Sequence, residues 1–400
     1  MRKLTVIPLV LLIISACSSS EEKLARKADK IHNDFLTVDT HCDTPMNLVS
    51  VGFDLGVKHE EGCVDFPRMA EGGLDAEFLA VYIGQGPRND TAYGNVHREA
   101  LEIFDAIHKN VSKNSSMAEL ALSPDDAYRL KKNKKIAAFI GLENGYPIAR
   151  DLTRVKEYYD LGARYITLCH SNNNDICDSS TDPNGAEHGG LSAFGEEVVR
   201  EMNRIGMMID VSHISDEAFY DVIKSSKAPV FASHSSSRAL CSSPRNLTDD
   251  MLHALKSNGG VIQICILSSY IKTPEPNPEL DAKIEELKTK YNVLTDLTDD
   301  QKKLYREERR AIYNKYRKLA TVADVVDHID HVVQVTGVDH VGIGTDFDGG
   351  GGVDGCRSVA EMKKITIELL RRGYSREDIG KIWGGNIMRV FRKVQETAGI

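Results

Sequence analysis

The chain has 400 residues, 41% of them hydrophobic, which is enough apolar material for one large α/β domain or two smaller ones. Its 59 acidic residues outnumber 50 basic ones for a formal net charge of -9, so it lacks the basic face that nucleic acid or an anionic membrane surface demands. Small substrates and soluble partners fit that balance.

At the N-terminus, Arg2 and Lys3 precede the apolar run Leu4 to Ile14 and the small residues Ser15, Ala16 and Cys17, the layout of an export signal. The run falls short of the roughly 20 apolar residues of a spanning helix. Ile14-Ser15-Ala16-Cys17 resembles a bacterial lipobox, so residues 1–17 read as a lipoprotein signal with Cys17 acylated; an ordinary cleaved signal is the alternative. Residues 18–30 then form a tether, 31–400 a single domain, and the protein is expected in a bacterial cell envelope as an exported lipoprotein. Seven further cysteines cannot all pair, and no C-x-x-C occurs, which removes support for a zinc ribbon or a thioredoxin-like site. Cys169 and Cys177 are close enough in sequence to pair in an oxidising compartment, although spacing alone does not establish a bond.

Eight short apolar runs follow: Phe35 to His41, Ala76 to Ile83, Ile136 to Glu143, Arg164 to His170, Met207 to His213, Pro229 to His234, Gly260 to Leu267 and His340 to Asp346. Most are apolar at consecutive positions, as in parallel strands covered on both faces. Helical patterns separate them, clearest at Phe194 to Ile205, Asp216 to Ser225 and Thr248 to Ser257, the last with Thr248 as N-cap. This alternation predicts an α/β fold, a (β/α)8 barrel, over an open doubly wound sheet. Residues 273–320 break the rhythm with Pro274, Pro276 and Pro278 and a charged stretch, and read as a helical insertion between the seventh and eighth strands, joined near 292–299.

Ionisable residues close these runs. His41 and Asp43 end the first, Glu143 the third, His170 the fourth, His213 the fifth, His234 the sixth and Asp346 the eighth. In a parallel barrel all the carboxyl ends meet on one face. Buried imidazoles and carboxylates brought together there repel and lose solvation unless a cation joins them, so the joint pattern points to a metal site. Imidazole with carboxylate suits zinc better than magnesium or calcium, with His41 and Asp43 on one ion, His213 and His234 on another, and Glu143 bridging the two. Strand alternation puts His41 and Asp43 on one side and Cys42 on the other, making Cys42 a packing residue.

The stretches "DTHCDTP", "GLENG", "TLCHSNNND", "IDVSH", "FASHSSSRALCSSPRN" and "GTDFDG" resemble, in order, signatures of the membrane (renal) dipeptidase family of binuclear zinc peptidases. The resemblance runs from about residue 31 to "GGNIMRVF" near the C-terminus. It implies a (β/α)8 barrel that hydrolyses dipeptides, some with a D or dehydro C-terminal residue, through a hydroxide held between two Zn2+ ions. It assigns the five metal ligands as above, His170 to the developing oxyanion, Asp346 to proton transfer, and Arg245 to the substrate carboxylate, with Tyr270 assisting. Asp348, two residues on from Asp346, is the rival for proton transfer, and Gly349 to Gly352 suggest a mobile loop. Related hydrolases often bridge their metals with a carbamylated lysine; the glutamate in "IGLENG" favours the dipeptidase branch.

The expected partners are dipeptides, a membrane reached through lipid on Cys17, and a second copy of the chain as a homodimer. Two other readings stay open: a binuclear hydrolase of a lactone, cyclic amide or phosphoester, and a non-catalytic peptide-binding lipoprotein. Arg245 speaks against the first and Asp346 against the second.

Overall fold

The chain is described here by a computed structural model covering residues 7–49, 53–292 and 297–400. Among the described residues, nine strands form one parallel sheet: β1 (Val38–Cys42), β2 (Ala76–Tyr82), β3 (Ala118–Leu120), β4 (Ile136–Glu143), β5 (Ala163–Thr167), β6 (Met208–Asp210), β7 (Phe231–Ser235), β8 (Val261–Ile264) and β9 (Val341–Ile343). The order is β1-β2-β4-β5-β6-β7-β8-β9, with β3 pairing only with the start of β4. Just past β9 the chain bonds back to β1, through Asp346 N to His41 O (3.0 Å) and Asp43 N to Phe347 O (2.8 Å). These bonds bring the eight principal strands into a nearly closed (β/α)8 barrel. The expected strands are all present; β3 is the addition, and three residues are too few for a periodic signal.

Two apolar layers hold the barrel. Inside, Phe78 stacks on Phe139 at 4.5 Å and tilts against Tyr165 at 5.6 Å, and Tyr165 meets Phe231 edge-on at 5.4 Å. Gly141 of β4 makes room for this plug, since a Cβ there would lie 2.0 Å from the Tyr165 ring. Outside, residues such as Leu79, Val81, Ile140 and Leu142 pack beneath the helices. The helices after β5, β6 and β7 (Ala193–Ile205, Asp216–Ser225, Asp249–Asn258) start at Ser192, Ser215 and Thr248, each accepting a backbone N–H with its hydroxyl.

The insertion between β8 and β9 is an antiparallel pair, Pro278–Tyr291 and Asp299–Tyr316, joined by ion pairing of Lys290 with Glu308 (2.6 Å) and by the buried Leu287. At the other end of the chain, the segment read as a tether is helical, within Ile7–Asp34. Its last turns belong to the packed domain, with Ala28 and Ile31 buried against the neighbourhood of helix Lys363–Arg371. The side chain of Cys17 lies outside the described residues. Among the described residues no helix is long and apolar enough to cross a membrane. Cys169 and Cys177, considered above as a pair, are free thiols, as are the other five described cysteines.

Candidate metal centre

All the residues singled out at the strand ends gather on one face, but not all within strands. His41, Glu143 and His234 lie in β1, β4 and β7, whereas His170, His213 and Asp346 each stand three residues beyond the end of their strand. There the backbone turns: His213 (φ 72°) and Asp346 (φ 59°) take left-handed conformations that β-carbon sterics disfavour. Such conformations persist where surrounding structure imposes them, and they cluster at functional sites.

Glu143 is the hub. Its Oε2 lies 3.4 Å from His41 Nε2, and its Oε1 lies 3.2 Å from His213 Nε2, 3.4 Å from His234 Nε2 and 3.7 Å from His170 Nε2. His213 Nε2 and His234 Nε2 face each other at 2.9 Å, and His41 Nε2 stands 3.9 Å from Asp43 Oδ1. His41 Nε2 and Asp43 Oδ1 are buried with no hydrogen-bond partner. Unpaired buried polar atoms cost a few kcal/mol each, so their convergence calls for a ligand. Among the described residues, three overlapping groups meet the spacing of a metal site: His41–Glu143–His234, Glu143–His170–His213 and His41–Asp43–Asp346.

The electrostatics agree. Burial opposes charge throughout, yet the carboxylates of Glu143, Asp43 and Asp346 push His41 up to about 10. Burial, reinforced by Arg245, holds His213 well below the usual imidazole range, and burial with the nearby His41 does the same to His234. Against its burial, Glu143 is kept well below the carboxylate range by His41 and His213. Asp43 is raised by burial and Glu143, and Asp346 by burial against the pull of His41. Crowded carboxylates beside the neutral imidazoles of His213 and His234 fit divalent cations in both charge and donor type, and the positive charge those carboxylates draw onto His41 is one that a cation supplies.

The remaining candidates surround this hub. His170 sits at the rim, its Nδ1 beside Ser171 Oγ (3.0 Å) and its ring against Tyr82 at 4.9 Å. Arg245 is buried; its Nη2 donates to His234 O (3.0 Å), its Nε has no partner, and its guanidinium lies 5.3 Å from the Tyr270 ring centroid. Asp348 is not a rival of Asp346. Its backbone also turns (φ 66°), so strand alternation does not apply, and its carboxylate accepts from Thr44 Oγ1 (2.6 Å) and Cys63 N (2.9 Å). Gly349 to Gly352 are tied down, with Gly351 N donating to Asp346 O (2.7 Å) and Gly352 N to Ile266 O (3.1 Å). Cys42 packs into the layer beneath the helices, away from the hub.

Two contributors escaped the sequence reading. Tyr165 OH meets His41 Nδ1 at 2.7 Å, leaving Nε2 to face the hub; an inward-pointing tyrosine on an apolar strand looks like core. Gly349 has no Cβ where one would lie 2.0 Å from Asp43 Oδ2 and 2.3 Å from Asp346 Oδ1. Its signal was the glycine run itself, read as mobility instead of close approach.

The model of one protein family, membrane dipeptidase (Peptidase family M19), matches residues 25–399. The chain belongs to the membrane dipeptidase family. Among curated relatives of this family, Dipeptidase tcpJ of Claviceps purpurea is 32% identical over 90% of this chain and 77% of its own length. Dipeptidase 3 of Rattus norvegicus is 31% identical over 94% and 69%. The crystal structure of the probable dipeptidase PvdM from Pseudomonas aeruginosa superposes with a TM-score of 0.82 at 30% identity, covering 94% of this chain and all of that one. A metallo peptidase from Rhodobacter sphaeroides, at 21% identity, shares the fold with a TM-score of 0.73 over 90% of this chain and 99% of its own. Membership makes the protein a metallo-dipeptidase, and the buried His, Glu and Asp groups at the mouth of its barrel supply the metal-binding chemistry that the family requires.

Proposed function

We propose that this dipeptidase cleaves dipeptides at a centre of two zinc ions, His41 and Asp43 holding one, His213 and His234 the other, and Glu143 bridging. Glu143 carries the reading: its Oε2 faces His41 while its Oε1 faces His213 and His234. When bound, the ions supply Lewis acidity that acidifies water and polarises the scissile carbonyl.

The chain's own residues do the rest. Asp346, buried beside His41 and Asp43, takes the proton of the attacking water and passes it to the leaving amine. His170, at the rim and 3.7 Å from Glu143, donates to the oxygen of the tetrahedral intermediate. Arg245, bonded to His234 O and with an unpartnered Nε, offers a guanidinium that fits a free carboxylate, with Tyr270 beside it. Substrates with a D or dehydro C-terminal residue belong to this reading, because such residues keep the carboxylate.

The test compares free L,L and L,D dipeptides with their C-terminal amides, and with lactones and phosphotriesters, in wild type and Arg245→Ala. A clamp predicts that Arg245→Ala lowers kcat/KM about 10- to 100-fold on free dipeptides and leaves amides little changed. Equal losses, or turnover confined to a lactone or phosphoester, would favour the other hydrolase reading.

The N-terminal sequence supports a reading in which the enzyme is exported, acylated at Cys17 and held by that lipid on a bacterial envelope membrane. Labelling with a radioactive fatty acid should mark the wild type and not Cys17→Ala. Assembly as a homodimer is part of the same proposal, checked by sedimentation of the detergent-solubilised chain.

A further inference from the structure

Asp210, the last residue of β6, is fully buried and accepts four hydrogen bonds: from Thr167 Oγ1 (2.5 Å), Ser212 N (2.9 Å), Ser233 N (2.8 Å) and Ser233 Oγ (2.6 Å). Its hydrogen-bond partners are all N–H and O–H groups, and a carboxylate can only accept, so the one hydroxyl proton of Ser233 points at it. Ser233 Oγ therefore offers lone pairs to His234 Nδ1, 2.7 Å away, and that contact is Nδ1–H donating. The tautomer follows. His234 Nε2 carries a bare lone pair, and Nε2 is the atom that faces Glu143 Oε1 and His213. A metal takes imidazole only in that form.

β1 repeats the device. Asp39, also fully buried, accepts from Thr345 N (2.8 Å), Thr345 Oγ1 (2.5 Å) and His41 N (3.4 Å). Thr345 precedes Asp346 as Ser233 precedes His234. In both places a carboxylate on one strand grips the N–H and the hydroxyl of the residue just ahead of a functional side chain in the neighbouring segment, within β7 for Ser233 and beyond the end of β9 for Thr345. Where β6 and β9 end, these carboxylates accept from the backbone N–H groups of Ser212, Ser233 and Thr345.

We infer that Asp210 and Asp39 are positioning residues: Asp210, through Ser233, fixes His234 in its metal-binding tautomer, and Asp39, through Thr345, seats Asp346 over the same centre. The inference rests on the metal site proposed above. Its test deletes hydroxyls, because Asp210→Asn or Asp39→Asn would set a buried amide donor against backbone N–H groups and endanger folding. Ser233→Ala and Thr345→Val, each with its hydroxyl-restoring partner Ser233→Thr or Thr345→Ser, are made in the full chain. Zinc affinity is read by chelator competition, kcat and KM on a dipeptide, and histidine tautomers from 15N-histidine spectra of the metal-free protein.

Ser233→Ala should weaken zinc about 10- to 100-fold and lose the single Nδ1–H tautomer of His234, while Ser233→Thr restores both. Thr345→Val should keep zinc affinity and KM but lower kcat about 10-fold, and Thr345→Ser should recover it. Wild-type zinc affinity and tautomer in Ser233→Ala would overturn the role of Asp210, and wild-type kcat in Thr345→Val that of Asp39. A wild type that takes up no divalent ion would instead defeat the metal reading, and the inference with it.

Discussion

Asp346 meets the hub through a left-handed turn, its peptide N–H tied to His41 O at 3.0 Å and its carboxylate resting against Gly349. If it shuttles the proton, Asp346→Asn should retain both metals and lower kcat by about 10²- to 10⁴-fold. Loss of metal by elemental analysis would make it a ligand instead. Gly349→Ala is the sharper steric test, since its methyl carbon would have to displace two carboxylates at 2.0 and 2.3 Å. Metal affinity or kcat should fall about 10- to 100-fold in a protein that still folds, and a fully active Gly349→Ala would show that those carboxylates need not approach. At this scale the sequence is most informative where alternation holds, as in His41-Cys42-Asp43 with Cys42 turned to the helices. It misleads where the strand has already ended. Asp346 and Asp348 are two apart, yet positive φ at both sends one carboxylate to the hub and the other to Thr44 and Cys63.

Among the elements, the eight strands are legible because parallel strands covered on both faces are written as apolar runs, and helix starts such as Thr248 because a capping hydroxyl has few substitutes. The docking of the N-terminal helix is not legible, because Ala28, Ile31 and His32 are scattered in a polar segment. His32 Nδ1 donates to Gly73 O (2.9 Å), and its Nε2 accepts from Thr366 Oγ1 (2.7 Å), which in turn accepts from Trp383 Nε1 (2.7 Å). That arrangement needs a neutral ring, and burial lowers His32 from 6.5 to about 4. Between those two values the unfolded chain binds the proton and the folded one does not, so stability is complete above pH 6.5 and falls as the pH drops towards 4. The loss is about 3 kcal/mol. Urea unfolding of the wild type and His32→Gln across that window should show a shallower pH dependence in the variant. Parallel curves would contradict the assignment.

For the whole molecule, the barrel explains why residues as distant as His41 and Asp346 share one centre: parallel strands all end on the same face, and the first and last meet at the seam. That convergence is legible in the sequence because ionisable residues close one apolar run after another. Their mutual distances are not, since the turns beyond β5, β6 and β9 and the buried Asp39 and Asp210 set them. Ligand binding stabilises the folded state by mass action, so zinc at 100 times the Kd of each site should add about 2.7 kcal/mol per ion to unfolding, about 5 kcal/mol for two. The decisive measurement is metal content per chain, taken with dipeptide turnover before chelation, after chelation and after zinc is restored. We expect two ions per chain, and turnover abolished by chelation and recovered with zinc; full turnover in metal-free protein, or none in the metal-loaded enzyme on any dipeptide, would refute the binuclear dipeptidase centre.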